Sequence, residues 1–428
     1  MIRLPNYVYY RIYGESTLLY NTLLQMVYNF NNTVGIILDY IRLGYNEKEI
    51  PTLLSAKYGN DENECAALVE ETVQLLKKEN ILIDISKTTA TLEEHCIQDI
   101  VDNNNLFSVL FEITYQCNEK CKHCYVCKDK REELSLDEIK KVLLDLKQLN
   151  VLNLVLTGGD VFCRKDFLDI FDYAIKLGFV VDIYTNGLYC DDSKIVAIAR
   201  RHPRSIHFSI YSLDAKKHDE FTQVPGSFER TIAVAEKFRD LGVAVNFKTT
   251  MLEMNYDEIP QVIDFARNFG ASLQIGTVLK YKQDGDSSPV SLKVCKDIFL
   301  DVIPRIQQKL DMPRDDKVCK RIPSSRICGA GFTSISINPY GEVFACSSLP
   351  IVVGNVREAN IIDIWENSTV LKEWKSCTWS MVSKCKDCDS ASVCAFCPGI
   401  AMQYHNTPFR DYEDGCILTE ATIKYINM

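Results

Sequence analysis

The chain has no long hydrophobic run, and none of its apolar stretches approaches the roughly 20 residues that a bilayer span needs. Its first ten residues lack the basic start and apolar core of a secretory signal peptide. Basic residues are in deficit, with 48 Lys and Arg against 58 Asp and Glu in 428 residues, a net charge of −10. Such a chain is a poor nucleic-acid binder, because it lacks the excess positive charge that neutralises phosphates. The sequence therefore predicts a cytoplasmic protein that binds neither membranes nor nucleic acids.

Cysteine is the residue in excess, with 18 in the chain. In a cytoplasmic protein, clustered cysteines bind metals or carry out redox chemistry more often than they form disulfides. At 428 residues the chain is longer than a typical domain and fits two to four domains.

Changes in composition and hydrophobic pattern along the sequence predict three regions. Residues 1–90 combine strand-like runs with amphipathic helices and predict a small winged-helix-like α+β domain. The polar residues 91–106 are interpreted as a linker. Residues 107–315 alternate strands and helices six times, which is typical of a parallel α/β sheet, open or curled into a partial barrel. Residues 316–428 hold nine of the 18 cysteines and few long apolar runs, so we expect metal clusters to hold this region together.

The individual strands can also be predicted. The N-terminal region is expected to contain strands at 7–13, 23–30 and 81–83, with three helices between the last two. The six strands expected in the alternating region are 108–114, 153–157, 180–184, 205–211, 243–250 and 272–278.

Three cysteines follow the first strand of the alternating region, Cys117, Cys121 and Cys124, in the pattern CxxxCxxC. Loop cysteines beyond a strand can converge on one iron–sulfur cluster. Three thiolates fill three iron sites of a four-iron cube and leave the fourth iron open, and an open site indicates chemistry rather than structure. A structural zinc site, or three unrelated thiols, are the alternatives on spacing alone.

Two features beside these cysteines favour the cluster. His123 places a ring just before the last cysteine. The second strand ends in Gly158-Gly159-Asp160, where glycines let backbone approach a ligand and a carboxylate can bind an ammonium group.

Together these motifs resemble the radical S-adenosylmethionine (SAM) superfamily. The resemblance implies a partial (β/α)6 TIM-like barrel, in which the open iron of a [4Fe–4S] cluster binds the amino and carboxylate groups of SAM. It implies that an external donor reduces the cluster and that SAM is cleaved to a 5′-deoxyadenosyl radical. The family motif usually ends in Glu, where this chain has Asp160. The cofactor contacts that the resemblance implies are His123, Gly158, Gly159, Asp160, Asn186, Ser209 and Arg230.

A second cysteine array lies in the C-terminal region and resembles the SPASM domain of radical SAM peptide-modifying enzymes. Its members are Cys328, Cys346, Cys385, Cys388, Cys394, Cys397 and Cys416. The family usually has three residues between the last two cysteines of the dense group, and this chain has two, Ala395 and Phe396.

The resemblance implies two auxiliary [4Fe–4S] clusters, and hence three clusters in the chain. One would be held by Cys328, Cys346 and Cys397, with Cys319 as the candidate fourth ligand. The other would be held by Cys385, Cys388, Cys394 and Cys416. A tetrathiolate zinc knuckle within 385–397 is the competing interpretation.

The stretch from Ser209 to Arg230 resembles peptide maturases of the same superfamily, and residues 1–90 resemble a PqqD-like peptide recognition element. Such elements capture a leader peptide by adding it as a strand to a sheet edge. The resemblances predict an enzyme that abstracts hydrogen from a ribosomally made precursor peptide and forms a thioether, C–C or C–O crosslink. A maturase of a folded or nascent protein, of the sulfatase or quinone-cofactor type, is one alternative. A zinc-binding interaction protein without activity is the other.

Overall fold

The computed structural model describes residues 8–21, 26–42, 45, 47–79, 81–82, 105–127, 130–312, 322–382 and 384–428. Cys319 and most of the predicted linker lie outside these ranges. No helix in the described ranges is both long and apolar enough to cross a bilayer.

The N-terminal module consists of a three-stranded antiparallel sheet followed by three helices. The strands pair in the order β1-β2-β3. The elements are β1 (Val8–Tyr13), β2 (Ser16–Asn21), β3 (Met26–Asn31), α1 (Asn32–Arg42), α2 (Ile50–Tyr58) and α3 (Glu62–Lys78). The helices bury their apolar faces in one core, which includes Leu19, Ile37, Leu38 and Leu76.

One strand of this module was missed by the sequence analysis, and one predicted strand is wrong. The strand β2 was not predicted, although it forms the centre of the sheet. The strand predicted at 81–83 is wrong for its described part, because Ile81 and Leu82 are in no strand. Their amides both donate to the carbonyl of Leu76 and their side chains are fully buried, so this apolar pair closes the end of α3.

The central region has six parallel strands that neighbour one another in sequence order, which confirms the predicted α/β class. Helices connect them. The elements are β4 (Ser108–Thr114), α4 (Leu136–Gln148), β5 (Asn153–Gly158), α5 (Phe167–Lys176), β6 (Val180–Thr185), α6 (Asp192–Ala199), β7 (Ser205–Ser209), α7 (Ala215–Thr222), α8 (Ser227–Asp240), β8 (Val245–Thr250), α9 (Ile259–Phe269), β9 (Ser272–Gly276) and α10 (Lys296–Lys309).

The C-terminal region continues the same sheet, which the sequence did not predict. Its first strand pairs parallel to β4, so the sheet has nine strands in the order β12-β11-β10-β4-β5-β6-β7-β8-β9. The elements are β10 (Ser334–Ile337), β11 (Glu342–Cys346), β12 (Leu349–Asn355), α11 (Ile361–Asn367), α12 (Thr369–Lys375), α13 (Pro398–His405) and α14 (Glu413–Ile426).

Alternation along the strands divides the sheet into two faces. On β4, Val109, Phe111 and Ile113 are fully buried in the main core under the helices. Leu110 and Glu112 therefore point to the opposite, concave face, because successive side chains of a strand alternate. The site described below lies on this face, where the carboxyl ends of the parallel strands meet.

The N-terminal module packs against the opposite, amino ends of these strands. Tyr13 and Tyr20 share a small apolar cluster with Leu152 and Val180 of the central region. The Tyr13 hydroxyl donates to the carbonyl of Asn150 at 2.7 Å. The module is thus docked onto the barrel by both apolar and polar contacts.

Candidate functional site

A cavity of about 190 Å³ lies at the carboxyl ends of β5, β6 and β7, and we call it the cysteine cavity. Eight of the sequence-predicted residues line it, namely Cys117, Cys121, His123, Cys124, Gly158, Gly159, Asn186 and Ser209. Residues nearly 100 positions apart in sequence therefore meet in one place.

The three cysteines of this cavity sit in a partly buried loop. Burial raises the pKa of Cys117 to about 12 and, together with Glu119, holds the pKa of Cys121 well above its usual value. Burial also raises the pKa of Cys124. The Cys121 thiol donates to the Glu119 carboxylate at 3.2 Å. Since metals bind thiolates, a positively charged cluster is the kind of group that would stabilise deprotonated cysteines here.

Gly158 and Gly159 are required because the main chain at the end of β5 passes very close to the main chain at the end of β4 and just after it. A Cβ on Gly158, whose φ is +140°, would lie 2.0 Å from the Thr114 carbonyl oxygen. A Cβ on Gly159 would lie 2.3 Å from the carbonyl oxygen of Gln116. The end of β5 is thereby held directly against the start of the cysteine loop.

The structure places Asp160 behind the cavity rather than in it. The side chain is fully buried and is not among the residues that line the cavity. One carboxylate oxygen accepts from the Phe162 amide at 2.9 Å, and the other accepts from the Thr185 hydroxyl at 2.6 Å and the Asn186 amide at 2.8 Å. This geometry is that of a positioning residue that fixes the end of β6, and the contact with an ammonium group stays a prediction.

Arg230 is likewise a predicted cofactor contact. It lies exposed on α8 and is not among the residues lining the cavity. Asn186, by contrast, lines the cavity. Its amide nitrogen donates to Asn118 Oδ1 at 2.7 Å and lies 3.9 Å from Cys117 Sγ.

Sequence reasoning missed three residues on the concave face that line the same cavity, Tyr184, His207 and Lys248. The Lys248 ammonium lies 3.3 Å from the centroid of the Tyr184 ring, and burial lowers the Lys248 pKa to about 8. Burial, Lys248 and Arg204 lower the pKa of His207 to about 3. The period-two alternation that puts Ser209 on the concave face also puts His207 there, so the strand pattern held the signal.

Two polar atoms at the cavity have no partner among the described residues, Nδ1 of His123 and Nδ1 of His207, and both are buried. Buried polar atoms are nearly always hydrogen-bonded in native proteins, so an orphaned one at a cavity indicates a ligand or water. Three loop thiols, closely approached glycine backbone and these nitrogens together fit an iron–sulfur cluster with a polar organic cofactor.

The C-terminal cysteines form two groups. Burial raises the pKa of Cys328 to about 11, and the nearby Cys346 and Cys397 add to the rise. Burial, Asp411 and the nearby Cys394 and Cys388 raise the pKa of Cys416. The amide of Cys388 donates to the carbonyl of Cys385 at 3.2 Å. In the described part of the chain, no three Cys, His or carboxylate side chains already surround a single metal position.

Comparison with known families agrees with these two sites. Residues 111–266 match the Radical SAM superfamily. Residues 328–389 match SPASM, an iron–sulfur cluster-binding domain. The chain contains a radical SAM domain followed by a SPASM domain. These domains imply SAM and a [4Fe–4S] cluster in the central region and auxiliary iron–sulfur binding in the C-terminal region.

Two curated relatives of this radical SAM enzyme cover about two thirds of its length. The AdoMet-dependent heme synthase of Methanosarcina barkeri is 26% identical over 68% of this chain and 90% of its own. The antilisterial bacteriocin subtilosin biosynthesis protein AlbA of Bacillus subtilis is 27% identical over 67% of this chain and 66% of its own.

The fold is similar to the crystal structure of Streptococcus suis SuiB bound to precursor peptide SuiA. The TM-score is 0.63 at 16% identity, over 97% of this chain and 100% of SuiB.

Proposed function

We propose that this radical SAM enzyme modifies a ribosomally synthesised precursor peptide, forming an intramolecular thioether, C–C or C–O crosslink. The observation that carries the proposal is the extent of the likeness to SuiB. It leaves out only about 3% of 428 residues, roughly 13, and so includes most of the N-terminal module. The sequence similarity to the heme synthase covers only 68% of the chain. SuiB binds a precursor peptide, and AlbA takes part in the biosynthesis of the bacteriocin subtilosin.

The N-terminal module supports the proposal, because its edge strand is suited to binding a leader peptide. We assign a PqqD-like leader-binding domain to residues 1–90. Its strand β3 pairs with β2, and the register gives no second neighbour among the described strands. Its residues from Met26 to Phe30 are half-buried, and Tyr28 and Phe30 stack at 6.0 Å. A half-buried edge strand with aromatic side chains offers both main-chain hydrogen bonds and side-chain contacts to an added peptide strand.

The residues of the cysteine cavity divide into three roles under this proposal. Cys117, Cys121 and Cys124 would hold the SAM-binding cluster. His123, Gly158, Gly159, Asn186 and Ser209 would surround SAM, and Asp160 would position Asn186 from behind. When bound and reduced by an external donor, these cofactors supply a 5′-deoxyadenosyl radical that abstracts hydrogen from an unactivated carbon. Arg230, which is exposed on α8, remains a proposed cofactor contact.

Two auxiliary [4Fe–4S] clusters complete the proposed set. Cys328, Cys346 and Cys397 would hold one, with Cys319 as the candidate fourth ligand, and Cys385, Cys388, Cys394 and Cys416 would hold the other. Crosslink formation removes one further electron and one proton from the substrate radical, and oxidised auxiliary clusters are the proposed electron acceptors.

The intact mass of short peptides encoded beside the gene, co-expressed with and without the enzyme, tests the function. A loss of about two mass units, one pair of hydrogens, is expected for an oxidative crosslink. An unchanged mass for every such peptide would contradict crosslinking.

Anaerobic metal analysis tests the cofactor set and the zinc alternative. Three clusters predict about 12 iron atoms per chain. Substituting alanine for Cys328, Cys346 and Cys397 should remove about four of them. One or two zinc ions without iron would contradict the radical mechanism.

Hydrogen exchange tests the leader site in the intact enzyme. Adding the leader segment of the modified peptide should slow amide exchange in β3 (Met26–Asn31), because an added strand pairs with its free edge. Protection confined to other elements would contradict leader capture at this edge.

A further inference from the structure

The loop that carries Cys117, Cys121 and Cys124 has an outer face as well as the face that lines the cysteine cavity. Lys120 and Lys122 flank Cys121 in sequence, and both lysines are exposed. Neither lysine lines the cysteine cavity, whereas Cys121 does. Adjacent residues of this loop therefore present a proposed iron ligand to the cavity and ammonium groups to solvent.

Helix α7 and the turn that follows it hold this outer face in place. The amides of Lys120 and Lys122 donate to the carbonyls of Thr222 at 3.0 Å and Phe221 at 3.2 Å. The Gln223 side chain donates to the carbonyl of Lys120 at 2.6 Å. A surface whose backbone is already fixed loses little conformational entropy when a partner binds to it.

The turn at residues 223–226 adds an uncharged surface beside the two lysines. Three of its four residues are exposed. The Asp219 carboxylate accepts from the Gly226 amide at 2.5 Å, so this charge is occupied within the turn. We call this turn, together with Lys120 and Lys122, the lysine patch.

The positive charge of the lysine patch is not neutralised within the described part of the chain, where no carboxylate forms an ion pair with Lys120 or Lys122. Glu119 turns inward and accepts from the Cys121 thiol. Glu220 is exposed on α7 and pairs with neither lysine. In a chain with a net charge of −10, unpaired cations beside a metal-binding loop favour a partner with an acidic surface.

The C-terminal cysteine group contains the same Lys-Cys-Lys pattern, but its charge is balanced. Lys384 and Lys386 flank Cys385. Lys384 pairs with the Asp411 carboxylate at 3.2 Å, and the Lys386 ammonium lies 3.8 Å from the carboxylate of Asp387. An acidic protein would therefore meet unpaired positive charge at the loop of the radical SAM site and not at this group.

We propose that the lysine patch is the docking surface for the external electron donor, and that this donor is a small electron-transfer protein with an acidic surface around its redox group. The donor loses one electron and the cluster held by Cys117, Cys121 and Cys124 gains it, with no transfer of atoms. Docking on the outer face leaves the cysteine cavity free for SAM. The inference rests on the proposed function only in requiring an external donor, and its test uses no peptide.

Charge reversal tests the lysine patch. The variant Lys120→Glu/Lys122→Glu places negative charge there, and Lys120→Arg/Lys122→Arg preserves the positive charge. Lys141→Glu/Lys372→Glu, at exposed positions on α4 and α12, makes the same change in net charge elsewhere and is the matched control. Photoreduced 5-deazaflavin is a small reductant that needs no docking surface. Equal iron content, and equal yields of 5′-deoxyadenosine with this reductant, establish that the three variants carry the same working cluster as wild type.

The probe is an acidic flavodoxin, and titration calorimetry at low and high salt measures its affinity for each protein. We expect charge reversal to weaken binding roughly tenfold at low salt, while the arginine variant and the control stay within about twofold of wild type. The affinity of wild type should fall as salt rises, because salt screens surface charges, and the reversal variant should show little salt dependence. The rate of SAM cleavage driven by flavodoxin, without peptide, should fall in proportion to the affinity.

Carbodiimide crosslinking, which joins a lysine amine to a carboxylate in contact with it, locates the bound donor. Crosslinks from Lys120 or Lys122 support the docking surface, and crosslinks from Lys384 or Lys386 in their place overturn it. The inference is also overturned if the reversal variant binds flavodoxin as wild type does, or if the control loses as much affinity. Failure of wild type to bind both flavodoxin and an acidic ferredoxin would overturn it as well. If the donor binds at the patch and no peptide changes mass, the proposed function fails and the docking surface stands.

Discussion

The Asp160 carboxylate accepts hydrogen bonds from three donors, and the residue does not line the cysteine cavity. Two backbone amides and one hydroxyl converge on its carboxylate, which is fully buried. Burial nonetheless raises the pKa of Asp160, and the hydrogen bonds act in the opposite direction. The residue thus connects the end of β5 to the end of β6, on which Asn186 depends.

The variant Asp160→Asn should destabilise the protein by about 2–4 kcal/mol, because an amide NH₂ would then face donors in a buried site. Chemical denaturation measures the change. Asp192→Asn, at a side chain that is 79% exposed, is the control and should stay within about 0.5 kcal/mol of wild type. Equal stability of the two variants would show that the Asp160 bonds contribute little.

His207 is a largely buried histidine beside two cations, Lys248 and Arg204, with 13% of its side chain exposed. Asp182 lies 3.9 Å away, but Arg204 already pairs with that carboxylate, so burial and the positive charges of Lys248 and Arg204 dominate and the His207 pKa falls to about 3. An unfolded histidine binds its proton below about pH 6.5. Between pH 6.5 and about 3 the unfolded state therefore binds more protons, and stability falls as the pH falls.

The variant His207→Gln should lose less stability on acidification than wild type. The difference should grow below pH 6.5 and reach about 3 kcal/mol at pH 4. Urea unfolding at pH 7, 6, 5 and 4 measures it, with the exposed His202→Asn as control. Parallel pH profiles for His207→Gln and wild type would contradict a neutral buried His207.

At the scale of elements, β1 attaches the N-terminal module to the barrel through its side chains. Arg11 donates to the carbonyls of Gly178 at 2.9 Å and Leu177 at 3.3 Å, and Tyr13 donates to Asn150. These acceptors lie in the turns that precede β5 and β6. The outer edge of β3 pairs with no other described strand, so its main chain is available to a peptide.

The variant Tyr13→Phe should weaken this docking by about 1 kcal/mol, the usual net value of one hydrogen bond. Amide exchange in β1 and β2 should then be about fivefold faster, if the module opens locally from the barrel. Tyr58→Phe, at a 49% exposed ring in α2, should leave the exchange unchanged. Unchanged rates in Tyr13→Phe would show that the Tyr13 hydroxyl does not contribute to docking.

At the scale of the whole molecule, the C-terminal region is part of the main sheet. Strand β10 pairs with β4, and Ile335, Ile337 and Val343 belong to the same core as Phe111. A chain that ends at residue 312 would expose the β4 edge and this apolar surface. Exposed flat edges template aggregation.

We therefore expect the truncated chain 1–312 to aggregate on expression, as measured by sedimentation and light scattering. The control keeps β10–β12 and replaces Cys328, Cys346 and Cys397 with alanine, and it should remain dispersed. Equal aggregation of both proteins would show that the clusters, and not strand pairing, keep the edge covered.

The sequence by itself determined the kind of chemistry at the site and the repeated strand–helix unit of the fold. The spacing of Cys117, Cys121 and Cys124 and the glycines after β5 indicated the radical SAM site, because loop residues at strand ends carry local signals. The six strand–helix units follow from hydrophobic periodicity, which is also local. Those signals, together with the contacts that the resemblance to the radical SAM superfamily implies, located eight residues that line the cysteine cavity.

Only the tertiary structure decided which side chains point into the cavity, which point into the interior and which point to solvent. Asp160 turned to the interior and Arg230 to solvent, while Lys248 joined the cavity from a strand without a motif. The pairing of β10 with β4, which are more than 200 residues apart, likewise has no local signal. Long-range pairing and side-chain direction depend on how separate elements pack, and spacing along the chain does not contain that information.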